Sequence, residues 1–152
     1  KVKQVVGHVD LIHSVDSERL LRAIDSQAGK LGLCQDILLE VNLAGEQSKG
    51  GVPPEALEPL ARLAGELPGV RLRGLMAIPP ISQNPGDNRE YFSKLRQLFV
   101  DIKGKILDNQ TKIDCLSMGM SGDYADAIAE GATLVRVGTA LFGPRPPIRA
   151  FS

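Results

Sequence analysis

Short, nearly continuous apolar runs alternate along the chain with longer stretches in which apolar residues recur every three or four positions. The first pattern is typical of parallel strands covered on both faces, and the second is typical of amphipathic helices. The runs predict five strands, at Val9–Val15, Asp36–Asn42, Val70–Ile78, Leu116–Ser121 and Thr133–Thr139. The periodic stretches predict four helices, at Glu18–Gly32, Pro53–Leu67, Arg89–Leu107 and Tyr124–Glu130.

Strict alternation of strand and helix predicts an α/β fold with a parallel sheet and right-handed crossovers. Local residues support the boundaries. Either Asp16 or Ser17 can cap the helix that begins at Glu18, and Gly131 stands where a helix end favours glycine. Five strands cannot close a barrel of this type, so the sheet should end in two unpaired edges. The pattern alone does not separate a barrel from an open doubly wound sheet.

Two neighbouring predicted strands end in small and hydroxyl-bearing residues. The first ends at Ser121, and the second ends at Gly138 and Thr139. Glycine lets a ligand approach the backbone, and the start of a helix offers free N–H donors to an anion. In eight-stranded α/β barrels, the loops after strands seven and eight commonly bind phosphate. These three residues therefore predict a phosphate site, and the alternative is that the glycine serves only a tight turn.

Arg136 lies on the same face of the last predicted strand as Gly138, because side chains alternate along a strand. If Gly138 faces a ligand, Arg136 points into the fold below it. A buried guanidinium needs an acceptor. That acceptor is either a ligand or a carboxylate of the core.

Two further residues allow two interpretations each. His13, near the end of the first strand, either faces the ligand or is a packed side chain with its polar atoms satisfied. Lys49, in the loop after the second strand, contacts an anionic ligand or a second cofactor, or is simply a solvated lysine.

Composition narrows the class of protein. The 152 residues suffice for one domain with a real core, and 18 basic residues balance 18 acidic ones. This balance gives no electrostatic footprint for nucleic acid or an anionic membrane, and no apolar run is long enough to span a bilayer. The two cysteines, Cys34 and Cys115, each lie beside an apolar run. We expect both to be buried free thiols, as in a cytoplasmic protein.

Several motifs resemble one known family. The segments SMGMSGD at 117–123 and GATLVRVGTALFG at 131–143 resemble the C-terminal signature of the pyridoxal-phosphate homeostasis proteins, the YggS/PROSC group. The segments HSVDS at 13–17, VNLAGEQSKGGV at 41–52 and RGLMAIPP at 73–80 match the same family in the same order. The resemblance covers nearly the whole chain.

The resemblance implies a parallel (β/α)8 barrel of the TIM type, like the N-terminal domain of alanine racemase. Residues 1–152 would be the C-terminal part of this single domain: an incomplete barrel of about five βα units, strands four to eight. The family holds pyridoxal 5'-phosphate (PLP) as a Schiff base on a lysine of its first strand. We expect that lysine to precede residue 1, so that this chain is a fragment without it.

The family also implies roles for individual residues. Ser121, Gly138 and Thr139 would bind the phosphate of PLP, and Arg136 would meet its pyridine nitrogen. Met118 and Gly119, in the same SMGMSGD motif, are further candidates for cofactor binding.

The implied function is intracellular PLP homeostasis, in which the cofactor is stored, buffered or delivered to PLP-dependent apoenzymes without substrate turnover. One alternative is an amino-acid racemase, which would need an acid/base tyrosine supplied by a second domain. The chain has two tyrosines, Tyr91 and Tyr124. The other alternative is a different phosphate-binding barrel enzyme, such as an aldolase or isomerase.

Overall fold

A computed structural model describes residues 1–46, 49–81, 83–106 and 112–144. Within these ranges the chain forms five strands: β1 (Leu11–Val15), β2 (Gln35–Glu40), β3 (Val70–Met76), β4 (Cys115–Met120) and β5 (Leu134–Arg136). Six helices accompany them: α1 (Val2–Val5), α2 (Glu18–Leu31), α3 (Pro54–Glu66), α4 (Arg89–Lys105), α5 (Tyr124–Ala129) and α6 (Thr139–Phe142).

All five predicted strands and all four predicted helices are confirmed, with shifted ends: most elements are shorter than predicted, and β2 and β4 begin one residue earlier. The largest correction concerns the last strand, which stops at Arg136 because Thr139 already begins α6. The short helices α1 and α6 were not predicted. The predicted end of the long helix at Leu107 lies outside the described residues.

The five strands form one parallel sheet in the order β1-β2-β3-β4-β5, so each strand pairs with its neighbour in sequence. In the described part of the chain, the outer edges of β1 and β5 pair with no other strand. With its covering helices, the sheet is a half-barrel. This confirms the predicted incomplete α/β barrel.

The helices are positioned by caps and by apolar faces. The Ser17 hydroxyl accepts a hydrogen bond from Leu20 N at 3.3 Å, so Ser17 is the N-cap of α2. Gly32 ends that helix with a left-handed φ of 65°, which glycine adopts without steric cost. Leu21, Ile24 and Ala28 face the sheet and are buried in the core. Among the described residues, no helix is both long and apolar enough to cross a membrane.

The strands β3 and β4 lie unusually close together at Gly74. A Cβ atom at this position would lie 1.8 Å from the carbonyl oxygen of Cys115. Towards the amino ends of the strands, Arg73 bridges two carboxylates: it donates to Asp36 Oδ2 at 2.5 Å and to Asp114 Oδ1 at 2.9 Å. An ion-pair cluster therefore holds three adjacent strands together at the end opposite the predicted phosphate site.

The prediction that both cysteines are buried is wrong. Cys34 is exposed, and Cys115 is half-buried. Cys34 lies in the turn between α2 and β2 rather than on the strand, and Cys115 opens β4, where its thiol donates to Asp114 Oδ1 at 3.4 Å. Both thiols are free, as predicted.

Candidate functional site

The carboxyl ends of β4 and β5 open into a cavity of about 680 Å³. Its wall includes Ser121, which follows β4, and Arg136, Gly138 and Thr139, which close β5 and begin α6. Because the strands are parallel, their carboxyl ends meet at one edge of the sheet. Four of the six predicted cofactor-binding residues therefore share one cavity.

Ser121 ties the end of β4 to the start of α6. Its hydroxyl oxygen accepts hydrogen bonds from Gly138 N and from Ala140 N, each at 3.1 Å. A serine hydroxyl has two acceptor lone pairs and one hydrogen. Both lone pairs are used here, so the hydrogen is left to donate to a ligand.

Thr139 adds two more donors at the same place. It is the first residue of α6 and is exposed. Neither its backbone N–H nor its hydroxyl has a hydrogen-bond partner within the described ranges. Together with the Ser121 hydroxyl, these groups give three donors on one rim of the cavity, which suits the several acceptor oxygens of a phosphate.

Arg136 supplies the positive charge of the cavity. Its Nη1 donates to Ser117 Oγ at 2.5 Å and its Nη2 donates to the carbonyl oxygen of Ala77 at 3.0 Å. A guanidinium carries five N–H donors, so three have no partner among the residues that the structure describes. Both acceptors are neutral, and no carboxylate among the described residues forms an ion pair with Arg136. The alternative prediction of a core carboxylate partner is therefore not observed in this part of the chain.

The pKa shifts of Arg136 and Glu40 are consistent with a guanidinium that has no directly bonded carboxylate. Burial lowers the pKa of Arg136, and the charges of Glu40 and Asp123 act against this lowering from beyond hydrogen-bond distance. Burial raises the pKa of Glu40, helped by Asp16 and opposed by Arg136. The guanidinium is thus partly desolvated without a direct counter-ion, and an electron-rich ligand atom would offset that cost.

His13 is half-buried near the end of β1, and both of its predicted interpretations stay predictions. Its Nδ1 lies 3.0 Å from Ser117 Oγ, the hydroxyl that accepts from Arg136. Burial, and then the charge of Arg136, lower the pKa of His13. The sequence analysis missed Ser117, although a serine inside an apolar run is a usable signal because a buried hydroxyl needs a partner.

Met118 and Gly119 lie elsewhere. Met118 is 0% exposed within the hydrophobic core, and neither residue lies on the cavity wall. Gly119 has a φ of 89°, and a Cβ atom there would lie 2.5 Å from Ala127 Cβ. These two residues let α5 pack closely on β4, and the structure does not bring them to the donors of the cavity.

Lys49 has partners within the chain. Its Nζ lies 3.1 Å from Glu46 Oε1 and donates to the carbonyl oxygen of Pro79 at 3.4 Å. Lys49 is half-buried, and it links Glu46 in the loop after β2 to Pro79 after β3. Both interpretations of this lysine stay predictions.

Comparison with known proteins defines the class. The profile of the alanine racemase N-terminal domain family matches residues 1–146, so the chain belongs to that family. It is 49% identical over 145 residues to the pyridoxal phosphate homeostasis protein of Aquifex aeolicus, and 42% identical over 147 residues to that of Pseudomonas aeruginosa. The family resemblance inferred from the motifs is thereby confirmed.

A solved structure of a related protein has the same fold as this chain. PipY of Synechococcus elongatus PCC7942, determined with PLP bound, is 37% identical and superimposes with a TM-score of 0.84 over 94% of this chain and 65% of PipY. Each of the two homeostasis proteins is matched over 95% of this chain, but the chain spans only 62% and 60% of their respective lengths.

Proposed function

We propose that the full-length protein binds PLP in the cavity between β4 and β5 and takes part in PLP homeostasis, storing, buffering or delivering the cofactor without turning over a substrate. The names of its relatives and the PLP in PipY support this. The observation that carries it is the convergence of the Ser121 and Thr139 donors with three available N–H groups of Arg136 in one cavity.

The residues fit the cofactor. Ser121, Gly138 and Thr139 would hold its phosphate at the rim, and Arg136 would donate to its pyridine nitrogen. Bound PLP supplies an electron sink for chemistry at the α-carbon of an amino acid. Because arginine stays charged and only donates hydrogen bonds, it disfavours protonation of that nitrogen and so weakens the sink. This favours binding over turnover.

The positions of the two tyrosines bear on the choice between a carrier and a racemase. Neither Tyr91 nor Tyr124 lies on the cavity wall as far as it is described. A racemase needs an acid/base group on the opposite face of its substrate, and no tyrosine is available there in the described ranges. The weakened electron sink is the reason that we favour a carrier that passes PLP to apoenzymes over a racemase. The two unpaired thiols suit a reducing compartment such as the cytoplasm.

The test uses the full-length protein and compares PLP with pyridoxal, which lacks the phosphate. The double variant Ser121→Ala/Thr139→Val removes two hydroxyl donors. Hydrogen bonds to a charged group contribute about 1.5–3 kcal/mol each, so the PLP dissociation constant should rise at least about tenfold. Pyridoxal binding should change much less, because it presents no phosphate to these donors.

The matched control is Ser26→Ala, an exposed serine on α2 away from the cavity. It should leave both dissociation constants unchanged. Unaltered PLP affinity in the double variant would show that the phosphate lies elsewhere. Carrier and enzyme are separated by deuterium exchange at the α-carbon across a panel of amino acids. Exchange at about one per second or faster would favour a racemase.

A further inference from the structure

The hydroxyl of Ser117 lies between two side chains, Arg136 and His13, that come from the two edge strands of the sheet. Ser117 lies on β4 and is 0% exposed. Its Oγ accepts from Arg136 Nη1 on β5 at 2.5 Å and lies 3.0 Å from His13 Nδ1 on β1. A fully buried hydroxyl cannot exchange either partner for water, so these two contacts determine its geometry.

The direction of each hydrogen bond follows from the available protons. Arginine only donates, so Ser117 accepts from Arg136. The hydroxyl hydrogen then needs an acceptor, and His13 Nδ1 is within reach. Nδ1 accepts only if it carries no proton, which requires neutral His13 with its hydrogen on Nε2. The three residues form a chain in which Arg136 donates to Ser117 and Ser117 donates to His13.

Protonation of His13 would reverse the second bond. Nδ1–H would then donate to Ser117, whose own hydrogen would lose its acceptor in a buried place. Two cations would face the same hydroxyl. Three further charged groups act on Arg136 or Glu40 at this end of the sheet: Glu40 on β2, Asp16 after β1 and Asp123 after β4. None of them forms an ion pair with His13 among the described residues. Neutral His13 is therefore the form that supports the contact with Arg136.

We propose that Ser117 and His13 are positioning residues for Arg136: their hydrogen-bond chain fixes the guanidinium so that its remaining N–H groups face the cavity. This rests on the proposed PLP site, since the pyridine nitrogen is the group that those donors would meet. The carbonyl of Ala77 holds Nη2 at 3.0 Å, so the chain through Ser117 supplies the second fixed point of the guanidinium plane. PLP retention should then fall as His13 becomes protonated.

The first arm of the test needs no PLP. In full-length protein labelled with ¹⁵N at histidine and arginine, His13 Nδ1 should be unprotonated at neutral pH, and the Arg136 Nη resonances should be resolved because rotation of the guanidinium is restrained. Ser117→Ala should shift the His13 signals and average those of Arg136. Ser14→Ala, an exposed neighbour of His13 on β1, is the control and should alter neither.

The second arm measures the PLP dissociation constant as a function of pH. Ser117→Ala should raise it about tenfold at neutral pH. His13→Leu removes the acceptor and should weaken binding similarly, whereas His13→Asn keeps an acceptor oxygen and should preserve affinity while abolishing its fall at acidic pH. Of these two variants, only His13→Asn retains a hydrogen-bond acceptor for Ser117. Comparing their PLP affinities therefore tests the inference even if Ser117→Ala does not fold.

Each outcome decides the inference. A proton on Nδ1 at neutral pH, or wild-type affinity in both Ser117→Ala and His13→Leu, would overturn it. Equal weakening by His13→Asn and His13→Leu would also overturn it, because packing rather than the acceptor would then matter. If wild-type protein binds no PLP, the proposed function fails, and the Arg136 resonances still decide whether Ser117 and His13 fix the guanidinium.

Discussion

Replacement of Gly74 by alanine should disrupt the contact between β3 and β4. The new Cβ atom would lie 1.8 Å from Cys115 O and 2.8 Å from Cys115 C, whereas real Cβ contacts essentially never fall below 3.0 Å. Both contacted atoms are backbone, so no side-chain rotation relieves the clash. The two strands would have to separate by 1.2 Å, the difference between 3.0 Å and 1.8 Å.

That separation has a definite cost. The Asp114 N to Arg73 O and Ala77 N to Ser117 O hydrogen bonds, at 3.0 and 3.2 Å, flank the site and would stretch beyond useful length. Gly74 also has a φ of 150°, which alanine rarely adopts. Overpacking and a strained backbone each cost about 1–3 kcal/mol, so the free energy of unfolding should fall by roughly 2–6 kcal/mol. A typical domain has about 5–15 kcal/mol in total.

Urea unfolding followed by far-ultraviolet circular dichroism measures this change. The matched control is Gly104→Ala on α4, where an added Cβ atom has no neighbour within 4 Å. Because alanine is a better helix former than glycine, the control should gain up to about 1 kcal/mol. A Gly74→Ala variant within about 0.5 kcal/mol of wild type, the range of ordinary surface substitutions, would refute the packing described for β3 and β4.

Two further predictions concern stability. Ser17→Ala should lower the free energy of unfolding by about 1 kcal/mol, because it removes the N-cap bond to Leu20 N, and a loss below the error of urea unfolding would contradict that cap. Hydrogen bonds from Arg73 lower the pKa of the Asp114 carboxyl below its ordinary value of 3.8. The ionised carboxylate therefore stabilises the folded state above pH 3.8, and this contribution is lost as the pH falls through the lower pKa of the folded protein. Arg73→Met should therefore make the free energy of unfolding less dependent on pH in the acid range. If the free energy of unfolding of the variant falls with acid as steeply as that of the wild type, the ion-pair cluster does not stabilise the fold.

The alternation of elements was predictable because β2 and β3 carry nearly continuous apolar runs, whereas the long helices carry apolar residues every three or four positions. The end of β5 was not, because Val137 continues the apolar run of the strand although the strand stops at Arg136, and Thr139 already belongs to α6. A four-residue helix is too short for its period to be recognised.

The candidate site was predictable in part. The residues Ser121, Gly138, Thr139 and Arg136 do gather at one cavity, as the small and hydroxyl residues at two strand ends suggested. Met118 was assigned to the same group from its motif alone. Side chains alternate along a strand, so Met118 points to the face opposite Ser117, and there it is buried in the hydrophobic core.

Contacts across the sheet lay beyond sequence reasoning. Ser117 and His13 are 104 residues apart, and Arg73 is 41 residues from Asp114. No period or motif links such pairs. They follow only when the order and register of the strands are known.

The strand order has a consequence for biosynthesis. Each strand pairs with the one made immediately before it, so a chain leaving the ribosome can extend the sheet one strand at a time without waiting for a distant partner. The cavity draws its donors from β4, β5 and α6, the last described elements to be made. The donors for an anion would therefore come together only late in synthesis. A nascent chain that binds an anion at this edge would already have formed the earlier strands of its sheet.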